Sequence, residues 1–215
     1  MITIYGIQSP AVARLRSALQ HKGLPFEHVS VNLRQKSEEF KELTPAETIP
    51  VMQDGTTIIG DSLAAIAYLD DKYHQTYKML GKTPEEKGRI LTAIWAMERI
   101  SITLSPLYIE KLAMAAAMRA NGAAHRATIY DQQQKDDLKK DTLYRLARLW
   151  EYKGELQYFT SHFSAADATM LNLIKTLQNY HYELGTWEQW SQTLMADKHI
   201  MQMFAPDTEK GVREI

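Results

Sequence analysis

Residues 48–70 read Thr-Ile-Pro-Val-Met-Gln-Asp-Gly-Thr-Thr-Ile-Ile-Gly-Asp-Ser-Leu-Ala-Ala-Ile-Ala-Tyr-Leu-Asp, and their spacing decides how the first third of the chain folds. A short apolar run opens on Pro50, breaks at Asp54-Gly55, a strong two-residue turn signal, and resumes at Thr56 to Ile59, so a β-hairpin is predicted. Asp61-Ser62 then starts a helix in which Leu63, Ile66, Ala67, Tyr68 and Leu69 form the inward stripe.

Two features of this stretch suit a polar ligand. An X-Pro bond at a strand entrance is a candidate cis site, since proline lowers the cost of cis to about 0.5–1 kcal/mol. A cis bond there turns the backbone of Ile49 outward, where an extended peptide can pair with it as an added strand. The ordinary alternative is a proline that merely begins an edge strand. Asp61-Ser62 at a helix start offers free N–H groups, a hydroxyl and the positive end of the helix dipole to a carboxylate, and an acid to an ammonium group. Its ordinary alternative is a plain N-cap.

Upstream, residues 2–5 form a short apolar strand halted by Gly6. Ser9-Pro10 opens a helix with Val12, Leu15 and Leu19 on its buried stripe, closed by Gly23. Residues 26–31 alternate as a second strand, and residues 37–43 form a short helix cut off before Pro45. The order βαβα-ββα, with a crossover making the first two strands parallel, defines an α/β layer.

Residues 74–82 have no periodicity and read as a linker. Beyond them the pattern is helical throughout: Thr83-Pro84-Glu85-Glu86 has capping-box form, Pro106 is expected to kink or interrupt the helix that follows unless the hydrogen-bond ladder is repaired locally, and Asn121-Gly122 marks a turn. A second long helix is expected over residues 127–152, a third from Ser164 with Asp167 in capping-box position, and a fourth capped at Thr186. The division expected is residues 1–75, a linker at 76–83, and an all-helical domain over 84–215.

Composition narrows the function. With 25 basic and 26 acidic side chains the formal charge is −1, which gives no electrostatic footprint for nucleic acid. No apolar run approaches the roughly 20 residues of a membrane span. The start Met-Ile-Thr-Ile-Tyr has no basic n-region, and the expectation is a cytoplasmic protein. Cysteine is absent, which removes thiolate metal sites and any sulfur nucleophile of the chain's own. The seven histidines are scattered without metal-binding spacing, so no metal is expected.

Taken together, Thr-Ile-Pro-Val-Met and Gly-Asp-Ser-Leu-Ala-Ala-Ile-Ala-Tyr-Leu resemble the "VP" strand and the acidic-Ser helix of cytosolic glutathione S-transferases. Phe163-Ser164-Ala165-Ala166-Asp167 is similar to the family's N-capping motif in the helical domain. The resemblance extends over nearly the whole chain in domain order, and is to serine-type, bacterial-like members. It implies an N-terminal thioredoxin-like βαβαββα domain followed by a helical-bundle domain, glutathione as co-substrate, and a homodimer built on the helices at 62–73 and 84–105.

Carried over residue by residue, the resemblance puts the cysteinyl backbone of glutathione on Ile49 beside Pro50, the γ-glutamyl carboxylate on Ser62 and its ammonium on Asp61. Thr48 stands where members often carry Lys, Gln or His for the glycyl end, and Lys36 or Arg34 is the candidate substitute. Ser9 matches the activating serine, where a hydroxyl at a helix start stabilises a thiolate. Tyr5, at the end of the first strand, is the competing activator. Arg14 and Arg16 read as salt-bridge and packing residues. Ser101, Ser105, Tyr108 and Leu112 share a helix face that, with Ile7 and Gln8, is a candidate second-substrate pocket, or alternatively an interdomain packing face. The activity implied is conjugation to, or reduction of, a small hydrophobic electrophile. The rivals are a glutathione-transferase-fold binding or assembly module of the stringent-starvation or elongation-factor kind, and a glutathione-dependent peroxidase. A thiol reductase is disfavoured by the lack of cysteine, and a zeta-class isomerase by the lack of its Ser-Ser-Cys type run.

Overall fold

The computed structural model describes residues 1–7, 9–33, 35–119, 130–204 and 213–214, with backbone only for Pro106, residues 108–119 and residues 213–214. The N-terminal part runs β1 (Ile2–Tyr5), α1 (Pro10–His21), β2 (Phe26–Ser30), α2 (Glu38–Lys41), β3 (Val51–Asp54), β4 (Thr57–Ile59) and α3 (Ser62–Lys72), the order expected from the sequence. β1 pairs parallel with β2 and antiparallel with β3, and β4 closes the hairpin against β3. A thioredoxin-like mixed sheet thus precedes a helical region. That region comprises α4 (Pro84–Arg119), α5 (Gln132–Lys153), α6 (Ala165–Gln178), α7 (Thr186–Met195) and α8 (Lys198–Met203).

Alternation in β1 sends Ile2 and Ile4 to one face of the sheet and Tyr5 to the other. On the first face, Ile4 joins Leu15 and Leu19 of α1, Ile66 and Leu69 of α3, and Ile94, Met97, Leu171 and Ile174 of the helical region in one continuous core. α6 is the central bridge, packed against both α1 and α4. On the second face a small cluster of Val31, Phe40 and Val51 is covered by Tyr5, Leu43 and Ile49.

Several expectations are corrected. α4 does not break at Pro106, whose missing N–H deprives the Ile102 carbonyl of its partner. The Ser105 hydroxyl donates to that carbonyl at 2.7 Å, and the helix continues to Arg119. α5 starts at Gln132 behind Asp131, whose side chain and Gln134 form a reciprocal capping box; residues 127–129, where the start was expected, lie outside the described residues, as does Asn121-Gly122. At the start of α4, Glu86 N–H donates to Thr83 Oγ1, but the Glu86 carboxylate reaches back to Lys82 N–H rather than to Thr83. The cap of α7 is Gly185, with Thr186 its first helical residue. Two elements were not read from sequence: α8, capped by Asp197, and β5 (Arg213–Glu214), which adds to the sheet parallel to β2.

The Ser164 cap stands as expected. Asp167 is fully buried and takes Ser164 N–H and Oγ–H at 2.9 and 2.7 Å on one oxygen, and Phe159 N–H at 3.0 Å on the other. Burial pushes its carboxyl up to about 7, against the pull of these donors.

Candidate active site

Three chain segments meet at the end of the sheet where β1 stops: the turn from β1 into α1, the loop ahead of β3, and the turn from β4 into α3. Two glycines allow the approach. A Cβ on Gly6 would lie 2.7 Å from Val12 Cγ2 and 3.6 Å from Ile49 Cβ. A Cβ on Gly60 would lie 2.6 Å from Thr44 Cγ2. A side chain at Gly60 would thus clash with Thr44 of the loop, whereas at Gly6 it would clash with Val12 of α1 and only touch Ile49.

Ile49–Pro50 is cis, the form the sequence left open. Pro50 stands just before β3, which is an interior strand of the sheet, so an edge-strand proline does not describe it. Ile49 lies outside the registered strand pairs, half-buried at the sheet margin.

Ser9 is the N-cap of α1, in extended backbone, and its Oγ accepts Val12 N–H at 3.2 Å. The cap uses an oxygen lone pair only, so the hydroxyl hydrogen is left to donate, and it has no acceptor among the described residues. Tyr5 is differently placed. Its hydroxyl donates to Gln53 Oε1 at 2.9 Å. Gln53 stands opposite Thr3, so this bond leans the ring back along the sheet, away from the end where α1 begins.

At the start of α3, Asp61 is the N-cap, and Oδ1 accepts Leu63 N–H at 2.8 Å and Ala64 N–H at 2.9 Å. Oδ2 has no partner among the described residues, and the side chain is exposed. Ser62 is fully buried. Its oxygen accepts two bonds from Arg14, at 3.2 Å from Nε and 2.7 Å from Nη2. Arg14 Nη2 also pairs with Glu98 Oε1 at 2.8 Å, and Nη1 reaches Thr169 Oγ1 at 3.5 Å. Arg14 thus has the salt-bridge role expected of it. Its link to Ser62, and the parts of Glu98 and Thr169, were not read from sequence.

Thr48 is exposed. Lys36 Nζ lies 3.5 Å from Glu47 Oε2, which brings it to the loop carrying Thr48 and Ile49. Glu47 itself has φ 48°, an uncommon conformation for a side-chain-bearing residue. Arg34 and Gln8 lie outside the described residues, as does the side chain of Tyr108. Ile7 is half-buried beyond β1. Ser101 and Ser105 give their hydroxyl hydrogens to Met97 and Ile102 carbonyls within α4; Ser105 is exposed and keeps its oxygen available. Among the described residues there is no group of three or more His, Asp or Glu fit to hold a metal ion.

Two clefts lie away from this junction. One of about 410 Å³ between α3 and α4 is lined by Leu63, Leu91, Thr92, Trp95 and Glu98. The other, also about 410 Å³, lies between α4 and α5 beside Ala96, Leu149 and Tyr152.

A thioredoxin-like mixed sheet with a cis X-Pro turn and an acidic-Ser helix start, followed by a helical region, defines the fold class. Residues 6–77 match the model of the glutathione S-transferase N-terminal domain. The chain is 45% identical over 69 residues to glutathione S-transferase Z2 of Arabidopsis thaliana, 31% of each chain. It is 41% identical over 78 residues to a probable maleylacetoacetate isomerase of Vibrio cholerae, 34% of this chain and 36% of that one. A glutathione S-transferase structure from Rhodospirillum rubrum F11 superposes with a TM-score of 0.74 at 19% identity, over 99% of this chain and 96% of that one. The sequence likeness to glutathione S-transferases lies in the N-terminal third of the chain. It covers about a third of the length of the curated relatives it matches, and the helical region is shared with known structures at the level of fold.

Proposed function

We propose that the protein is a glutathione transferase that holds glutathione as its thiolate and delivers it to a small hydrophobic electrophile. The observation that carries this is the bonding of Ser9: its oxygen accepts Val12 N–H, and its hydroxyl hydrogen, with no acceptor among the described residues, can serve a sulfur anion. A hydrogen bond to the charged form, at a helix N-terminus, lowers the thiol pKa. The thiol proton passes to solvent. The sulfur lone pair then forms the C–S bond, and the electrophile releases its leaving group or takes up a proton.

In this account Ile49 pairs with the cysteinyl backbone, beside Pro50. Asp61 Oδ2 takes the γ-glutamyl ammonium, and the turn at Ser62 takes the carboxylate. The Asp61 carboxylate now occupies the first-turn amides of α3, as a ligand carboxylate would, so swinging Asp61 onto the ammonium opens that turn. Lys36 and Thr48 serve the glycyl end; the proximity of Lys36 to Glu47 supports this. The second substrate is read against Ile7 and Gln8, with Ser105 and Tyr108 as the edge of α4. The division into a glutathione-binding domain over 1–75, a linker at 76–83 and a helical domain over 84–215 is part of the same proposal, as are a cytoplasmic location and a homodimer. Among the described residues no helix is long and apolar enough to cross a membrane.

The zeta-class relatives match only the N-terminal third, and the Ile7-Gln8-Ser9-Pro10 turn has no cysteine, so conjugation is preferred to isomerisation. Retention on immobilised glutathione and turnover of an aryl halide test the proposal together. Retention without turnover of halide or peroxide would favour a binding module, and turnover of organic hydroperoxide alone would favour a peroxidase.

A further inference from the structure

His21 ends α1, and His199 lies in α8, 178 residues further along the chain. Their rings meet with His21 Nδ1 and His199 Nε2 3.2 Å apart. Between two neutral imidazoles this is one hydrogen bond, with a hydrogen on one facing nitrogen and a lone pair on the other. The same spacing suits a different occupant. Two imidazole nitrogens on one tetrahedral ion, each at 2.0–2.1 Å, stand about 3.3–3.4 Å apart. Binding an ion therefore needs a small turn of one ring and the transfer of one hydrogen to that ring's far nitrogen. His199 is exposed and can make both changes. His21 is half-buried and held in place by the rings of Tyr77 and Phe163, at 4.5 and 5.3 Å between centroids. Its other nitrogen, Nε2, has no hydrogen-bond partner among the described residues, so His199 is the one polar group this ring engages there. The surroundings also keep a proton from competing. Burial, helped by His199, His162 and Lys22, lowers the His21 pKa to about 4, which leaves the ring neutral, as a metal ligand must be. Of the nearby charges, Lys22 is paired with Asp70 at 2.6 Å, and Asp197 acts on His21 with the sign that favours a cation.

We propose that His21 and His199 form a two-histidine site for a zinc-type divalent ion, which clamps the end of α1 to α8. Paired imidazoles suit zinc, nickel and copper rather than magnesium or calcium. Two protein ligands leave the other positions to water, so the ion is exchangeable. It takes no part in thiol chemistry, because Ser9 and His21 stand at opposite ends of the 12-residue helix α1, about 18 Å apart at the helical rise. Its effect is on the fold: α1 belongs to the sheet part of the molecule and α8 to the helical region, and an ion bound to both favours the folded chain.

The test is a zinc titration by calorimetry at pH 7 on the full chain, stripped with a chelator and free of glutathione. Wild type should bind one zinc ion with an affinity that both His21→Gln and His199→Gln weaken by at least about tenfold. The double variant should be no weaker than the worse single one, since each ring is useless to the ion without the other. His74→Gln, a change at an exposed histidine in the segment after α3, should bind as wild type does. Thermal unfolding supplies the second readout: zinc should raise the midpoint of wild type and of His74→Gln, and leave those of His21→Gln and His199→Gln unmoved. Should His21→Gln fail to fold, His199→Gln decides, because that ring is exposed. No binding by wild type up to about 1 mM zinc, or binding that survives His199→Gln unchanged, would overturn the proposal.

Discussion

Ser9 caps α1 with its oxygen and, in the proposed account, donates its hydroxyl hydrogen to the thiolate. Ser9→Ala removes the cap, at about 1 kcal/mol of stability, and also the hydroxyl hydrogen. Turnover should fall by about 10²- to 10³-fold, the usual loss when a preorganised donor to a developing anion is removed, while glutathione affinity stays within about threefold. Ser9→Thr keeps both the cap and the donor and should recover most of the rate. Tyr5→Phe should leave turnover within about twofold, because the Tyr5 hydroxyl is already committed to Gln53. At this scale the sequence was informative wherever the signal is local. Ile49-Pro50 and Asp61-Ser62 can be read because turn and cap chemistry depends on neighbours. The Arg14 cluster could not be, since its partners lie 48, 84 and 155 residues away along the chain. No local pattern reports such distances.

Between elements, two titrating groups work in opposite directions. His21, at the end of α1, sits against Tyr77 and Phe163 and hydrogen-bonds His199 of α8 at 3.2 Å. Burial, helped by His199, His162 and Lys22, lowers its pKa to about 4. Between about pH 6.5 and 4 the unfolded chain takes a proton that the folded chain refuses, so this group withdraws stability as the pH falls through that window. Asp167, raised to about 7, does the reverse: the unfolded chain loses its proton first, and stability falls as the pH rises from about 4 to 7. Urea unfolding at pH 7 and pH 4.5 should show His21→Gln losing less stability on acidification than wild type, by about 1–2 kcal/mol after allowing for partial exposure of the ring. Equal losses would place the acid sensitivity elsewhere. Asp167→Ala strands the buried N–H groups of Phe159 and Ser164 and should cost on the order of 3 kcal/mol, read as a lowered urea midpoint. The Ser164–Asp167 cap was legible because both residues lie within one turn. α8, at six residues, and β5, at two, are too short to leave a periodic signal. The helix runs unbroken past Pro106, where a neighbouring serine supplies the bond that proline cannot.

Across the whole molecule, one core joins the sheet to the helical region, and the fold class followed from the order of the elements and their periodicity. The sequence could not show that the sheet and helices share this core, which only packing displays. Along α3 and α4, the cleft holding Leu63, Leu91 and Trp95 presents apolar surface, with Trp95 66% exposed. A homodimer formed there predicts twice the chain mass by light scattering and a monomer for Trp95→Glu; a wild-type monomer would remove the dimer from the account. The central claim, a glutathione thiolate held by Ser9, is tested most directly by ultraviolet difference titration of bound glutathione at 240 nm. The account predicts a bound thiol that ionises well below the roughly 8.5 of a free cysteine, and a rise of one unit or more in Ser9→Ala. A bound thiol that titrates like free glutathione, or a lowered value that survives Ser9→Ala and is lost in Tyr5→Phe, would contradict it.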